Sequence, residues 1–132
     1  GPTVGGRYDA FASSLLVRPD GLIDRVWAGR EDRVVEIRDG SSHGARVTGV
    51  GAQIALGDLD QDGTIELLAS LDTIDPLADA VVVRSWAGGA GARELFRMPA
   101  GSGVQALATC PPESSGRQAF VVATGDEVWV VR

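Results

Sequence analysis

The chain has 132 residues, 44% of them hydrophobic, which fits one globular domain. Its net charge of −6 sets 18 acids against 12 arginines, with no lysine and no basic cluster, and this argues against a nucleic-acid partner. No run is long and apolar enough for a membrane span, and no leader pattern opens the chain. Gly1-Pro2 resembles the scar of a cleaved tag, so the missing leader carries little weight. Abundant valine, 18 glycines and the lack of long amphipathic segments favour β structure.

In chain order, residues 8–16 form a first apolar segment, and Arg18-Pro19-Asp20-Gly21 reads as a turn. Strands follow at 23–29 and 33–37, then an Asp39-Gly40 turn and a weaker strand at 45–50. A second set opens with 51–57, passes through an acidic loop and returns along 65–71. A polar connection, 72–79, carries Asp72, Asp75 and Asp79 and reads mainly as a solvated loop, although an added cation ligand there stays open. Strands at 80–86 and 93–98 flank the glycine-rich 88–91. The third set has strands at 103–109 and 118–124 around a Pro/Ser loop, 110–116, and a Gly125-Asp126 turn into 127–132.

The acidic loop carries the chemistry. Asp58, Asp60 and Asp62 alternate with other residues, Gly63 follows the third, and Glu66 stands three residues beyond. Alternate carboxylates on a tight turn direct oxygens into one concavity, as a hard cation such as Ca²⁺ requires. Without a counterion they repel by about 1 kcal/mol per close pair even when partly solvated. An EF-hand would need a bidentate Glu at the twelfth position, which is Ala69, so that loop type is excluded. Side chains at the first, third, fifth and ninth positions, with the Thr64 carbonyl at the seventh, can instead be supplied by a β-hairpin.

Over residues 55–69 the chain resembles the FG-GAP repeat, which builds blades of the integrin α-subunit β-propeller and of bacterial extracellular propellers. The resemblance implies Ca²⁺ as cofactor, with Asp58, Asp60, Asp62 and Glu66 as side-chain ligands and Thr64 as a carbonyl ligand. Glu66 stands at a position where the family also commonly has Asp.

The sets repeat. A shift of about forty residues lays Asp62-Gly63-Thr64-Ile65-Glu66 over Asp20-Gly21-Leu22-Ile23-Asp24, with Leu16 and Arg18 in place of the first two carboxylates. That first loop is expected to hold no cation, and the third set has lost the carboxylate ladder. Four strands per period is the size of a propeller blade, giving approximate blades 8–50, 51–101 and 102–132 in a single all-β domain. The third ends after its third strand, and Val4 with its neighbours is a candidate for the missing outer one. Closed propellers have about four to eight blades, so the expectation is a piece of a larger propeller or a ring completed by another chain. A β-sandwich is the alternative fold. Trp27, Trp86, Phe120 and Trp129 read as core between blades.

No catalytic constellation is legible. His43 lies in a glycine-serine loop, the paired serines have no base nearby, and neither a nucleophile elbow nor a phosphate loop occurs. Cys110 has no partner cysteine and reads as a small buried hydrophobe. The expectation is a non-catalytic, calcium-binding propeller module for a protein or glycan partner, at the cell surface, in the periplasm or outside the cell. A propeller segment of a secreted polysaccharide-processing enzyme is the alternative, and a homo-oligomer is possible.

Overall fold

A computed structural model describes residues 8–17, 20–39, 44–59, 64–86, 93–111 and 118–132. Among them are eleven strands, one short 3₁₀ turn and no α-helix, so the fold is all-β. The strands are β1 (Ala10–Val17), β2 (Ile23–Glu31), β3 (Val34–Arg38), β4 (Gly44–Thr48), β5 (Val50–Gly57) and β6 (Glu66–Leu71). They continue with β7 (Ala80–Ser85), β8 (Arg93–Pro99), β9 (Val104–Thr109), β10 (Phe120–Thr124) and β11 (Val128–Val131). Every pairing joins sequence neighbours in antiparallel order: β1 to β4 form sheet A, β5 to β8 sheet B, and β9 to β11 the three-stranded sheet C.

Local chemistry sets the boundaries. The β2–β3 hairpin turns on Asp32 and Arg33 with φ of 51° and 67°, the mirror-image turn that matches strand twist. Gly49, at φ +70°, separates β4 from β5 in a conformation that costs glycine little. It divides what the sequence reads as one strand over 45–50. Val50 is pinned on both sides of its peptide, donating to the Arg33 carbonyl at 3.1 Å and accepting from Arg30 Nε at 2.9 Å. Arg30 also forms an ion pair with Asp9 at 2.6 Å.

The sheets stack A, B, C. β5 lies beside β1 on one side and β9 on the other. Side chains alternate across a strand. On β6, Leu67 accordingly joins Val26, Ala28 and Ile37 of sheet A, whereas Leu68 joins Phe120 and Val122 of sheet C. Both leucines are 0% exposed, so sheet B is covered on both faces. Burial of each such side chain contributes about 2–3 kcal/mol. Gly57 marks the close approach of β5 to sheet C, since a Cβ there would meet Thr109 Cγ2 at 2.8 Å. Beside it, Thr109 Oγ1 donates to the Leu56 carbonyl at 2.9 Å.

Three aromatics take the expected interior place: Trp86 packs on the A–B core, and Phe120 and Trp129 belong to the B–C core. Trp27 does not. It alternates with Val26 and Ala28, which face sheet B, so it projects from the other face, where its ring stacks on Phe11 at 6.1 Å and meets Tyr8 at 6.2 Å. Cys110 is half-buried.

Candidate metal centre

The acidic loop crowns the β5–β6 hairpin. Gly57 and Glu66 are its last paired residues, so Asp58 and Glu66 stand at the two feet of the loop. Leu59 packs its side chain against the B–C core, and its N–H donates to Glu66 Oε1 at 2.9 Å. One apolar anchor between acidic positions therefore holds the loop to the sheets. Thr64 Oγ1 contacts Glu66 Oε2 at 3.3 Å. Glu66 is 1% exposed, exceptional for a carboxylate, which leaves water only when bonded or paired. Asp58 is half-buried, with its Oδ1 shielded from solvent.

Of the five expected ligands, Thr64 and Glu66 touch and Asp58 stands at the opposite foot of the loop from Glu66, while Asp60 and Asp62 lie outside the described residues. Among the described residues no group of three His, Cys, Asp or Glu side chains is placed to hold a metal. The described part of the expected set is thus two carboxylates and the Thr64 backbone carbonyl, all oxygen donors, which suit Ca²⁺ or Mg²⁺ and not a soft metal. Glu66 differs from the expectation in one respect: each of its oxygens already meets a group of the loop, so it braces the hairpin whether or not an ion is bound.

Arg84, on the hairpin's own sheet, is directed elsewhere. Arg84 pairs across strands with Leu67, on the face toward sheet A, whereas Glu66 precedes Leu67 and alternates to the other face. Arg84 Nη1 is buried without a hydrogen-bond partner, and desolvation lowers the pKa of that guanidinium.

The corresponding turn of sheet A is shorter. Its Asp20 Oδ1 accepts the Leu22 N–H at 3.0 Å, next to Gly21 at φ +84°, an ordinary Asx turn. Arg18 of that turn, the Pro/Ser loop over 112–117 and His43 lie outside the described residues.

The 72–79 connection is solvent-exposed from 72 to 78, as a solvated loop should be, and among its acids Asp79 departs from that reading. Asp75 caps the 3₁₀ turn Pro76–Ala78, accepting the Leu77 N–H at 3.0 Å, and Asp72 pairs with Arg33 at 3.5 Å. Asp79 is a clamp: Oδ1 accepts the N–H of Leu71 at 3.0 Å and of Ala80 at 2.8 Å, and Oδ2 accepts that of Val104 at 2.9 Å. The Asp75-Pro76 pair carried a readable signal, a capping acid before a helix-starting proline. Asp79 carried none.

No protein-family model, no curated protein and no solved structure matches the chain.

Proposed function

We propose that the chain is a non-catalytic, calcium-binding β-propeller module, with sheets A, B and C as consecutive blades and the 58–66 hairpin as the ion site. The observation that carries this reading is the almost fully buried Glu66 carboxylate, bonded to Leu59 N–H at the foot of a loop whose sequence alternates Asp58, Asp60 and Asp62. A packed fold gains nothing from gathering four carboxylates on one hairpin unless a cation offsets their repulsion. Side-by-side β1, β5 and β9, with stacked meanders spreading from them, support the blade reading.

Asp58, Asp60, Asp62 and Glu66 would hold the ion with the Thr64 carbonyl, and the bound ion would neutralise the loop and stiffen the central sheet. Such a module presents loops to a protein or glycan at the cell surface, in the periplasm or outside the cell, where millimolar Ca²⁺ saturates even a weak loop.

Thermal melts in Ca²⁺ and in chelator test the site. At a hundredfold excess over Kd, binding stabilises the fold by about 3 kcal/mol, so the melting temperature of the intact chain rises by several degrees. Asp60→Ala abolishes that rise and leaves the chelator melt in place. A melting temperature indifferent to Ca²⁺, or an Asp60→Ala loss of equal size in both buffers, overturns the site.

A further inference from the structure

The two ends of the stack differ in character. Sheet C turns away from sheet B a face of Ala106, Ala108, Val121, Ala123, Val128 and Val130, with Val128 69% and Val130 59% exposed. These six form one aliphatic, uncharged surface across three strands. Sheet A turns outward on β1 and β2 the large apolar side chains Phe11 at 62% exposure, Leu15 at 58%, Ile23 at 61%, and Trp27, with the exposed Arg25 standing between Ile23 and Trp27, opposite Leu15. A contiguous apolar face at one end and a mainly apolar face crossed by one arginine at the other mark interaction surfaces on so small a chain.

The interior joints of the molecule show what such faces fit. At the A–B joint, sheet A contributes Val26, Ala28 and Val35, and sheet B answers with Ile54, Leu56 and Trp86. At the B–C joint, sheet B contributes Ala55, Val81 and Val83, and sheet C answers with Leu107, Phe120 and Trp129. Each joint seats the later sheet's single tryptophan against Ala and Val side chains of the preceding sheet; the preceding side is dominated by Ala and Val at the A–B joint and mixes them with Leu59, Leu68 and Met98 at the B–C joint. The free face of sheet C is the Ala/Val half of one more such joint, and the free face of sheet A, with Trp27, is the tryptophan half. The polar outer strands continue the match. Glu36, Arg38 and Arg46 lie on the outer part of the free A face, as the half-buried Arg84 lies on the tryptophan side of the A–B joint. Glu36 is fixed there by the Tyr8 hydroxyl at 3.0 Å and Arg38 at 3.1 Å.

We infer that two copies of this chain assemble head to tail, the free face of sheet C in each docking on the free face of sheet A in the other, to close a ring of six sheets. The inference rests on the reading of the three sheets as consecutive blades. In one copy no core cluster joins A to C among the described residues and their outward faces stay exposed, so closing those faces falls to a second molecule. Head-to-tail contacts close into a ring or run on as a filament. Two copies give six blades, within the range of about four to eight for closed propellers, whereas three copies exceed it.

Light scattering after size exclusion, with the 132-residue chain in calcium buffer from micromolar to sub-millimolar concentration, tests the assembly. The expected mass is twice the 13.7 kDa of one chain. Val130→Glu alters only the free C face and Leu15→Glu only the free A face, and far-UV circular dichroism shows that each variant keeps its strands. Each variant alone is expected at the monomer mass. An equimolar mixture of the two recovers a species of twice that mass, because one of the two joints is then intact. A monomeric parent chain overturns the assembly, and so does a series of growing oligomers. A dimer that only one variant breaks is a face-to-face pair and overturns the head-to-tail order. The calcium melts separate the readings: a monomer stabilised by Ca²⁺ defeats the ring alone, and a dimer indifferent to Ca²⁺ defeats the ion site alone.

Discussion

Asp79 gathers three backbone N–H groups, from β6, β7 and β9, on its two oxygens. Its own carbonyl accepts the Ala100 N–H at 2.9 Å, so the exit from β8 is tied to the same residue. Asp79→Ala leaves those N–H groups without their acceptor at the seam of sheets B and C, where each costs about 1–3 kcal/mol if water does not replace it. The expected loss is roughly 3 kcal/mol in urea denaturation, partial access of water offsetting the rest. Asp72→Ala removes only the Arg33 pair, whose arginine side chain is 68% exposed, and is expected to cost no more than about 0.5 kcal/mol. Equal losses for the two variants would refute the clamp. Nothing in the sequence separates these acids: both sit in one polar stretch, and the partner that distinguishes Asp79, Val104, is 25 residues away. The feet of the candidate ion loop were legible at the same scale because their donors lie within nine consecutive residues, 58–66.

Among the elements, those buried on both faces were the plainest in the sequence. The runs 65–71 and 80–86 are almost unbroken apolar stretches because sheet B has a neighbour on each side, and a continuous run bounded by turn residues reads directly as a strand. The β4–β5 boundary was not legible. Its only mark is Gly49, one of 18 glycines, inside a stretch with apolar residues on both sides. The β2–β3 hairpin is where an element departs from its best local sequence. Its turn needs positive φ at two residues and has Asp32 and Arg33, where Asn-Gly suits best. A residue with a Cβ pays roughly 1–2 kcal/mol in that region, and Arg33 meets the cost without a strong return, since its ion pair is exposed and worth little. Arg33→Gly is therefore expected to stabilise the chain by about 0.5–1 kcal/mol, after allowance for the greater freedom of glycine in the unfolded chain. The urea midpoint rises while the slope stays constant; a fall in the midpoint would mean that Arg33 makes a contribution beyond its turn.

For the whole molecule, the stacking order was the least legible feature, because alternation tells which residues share a face and not whether that face is covered. Trp27 illustrates this: its place between Val26 and Ala28 looks the same in the sequence whether the outward face meets solvent or another sheet. The stack has a consequence that amide exchange can measure. Opening free energy is greatest where backbone hydrogen bonds are central in a sheet and the side chains are buried on both faces. β6 meets both conditions, with β5 and β7 beside it and Glu66 to Ser70 all buried. β2 and β10 are also flanked by strands, but among the described residues their sheets are covered by a neighbouring sheet on one face only. β8 is a sheet edge with six of seven residues exposed, and β11 is an edge of the three-stranded sheet. In the Val130→Glu chain at low concentration, the slowest amides are expected in β6 and the adjacent part of β7, then in β2 and β10, with β8 and β11 fastest. The parent chain at high concentration then separates two arrangements by the same measurement. Closure of the free faces slows β2 and β10 toward the rate of β6 and leaves the outer edge β8 fast, because a sheet docked face to face covers side chains without pairing that edge. If β8 slowed instead, copies would be adding strand to strand along the edges of sheet B, and the face-to-face joint would be wrong. If β2 and β10 already matched β6 in the variant, coverage on both faces would not be what makes the central sheet the last to open.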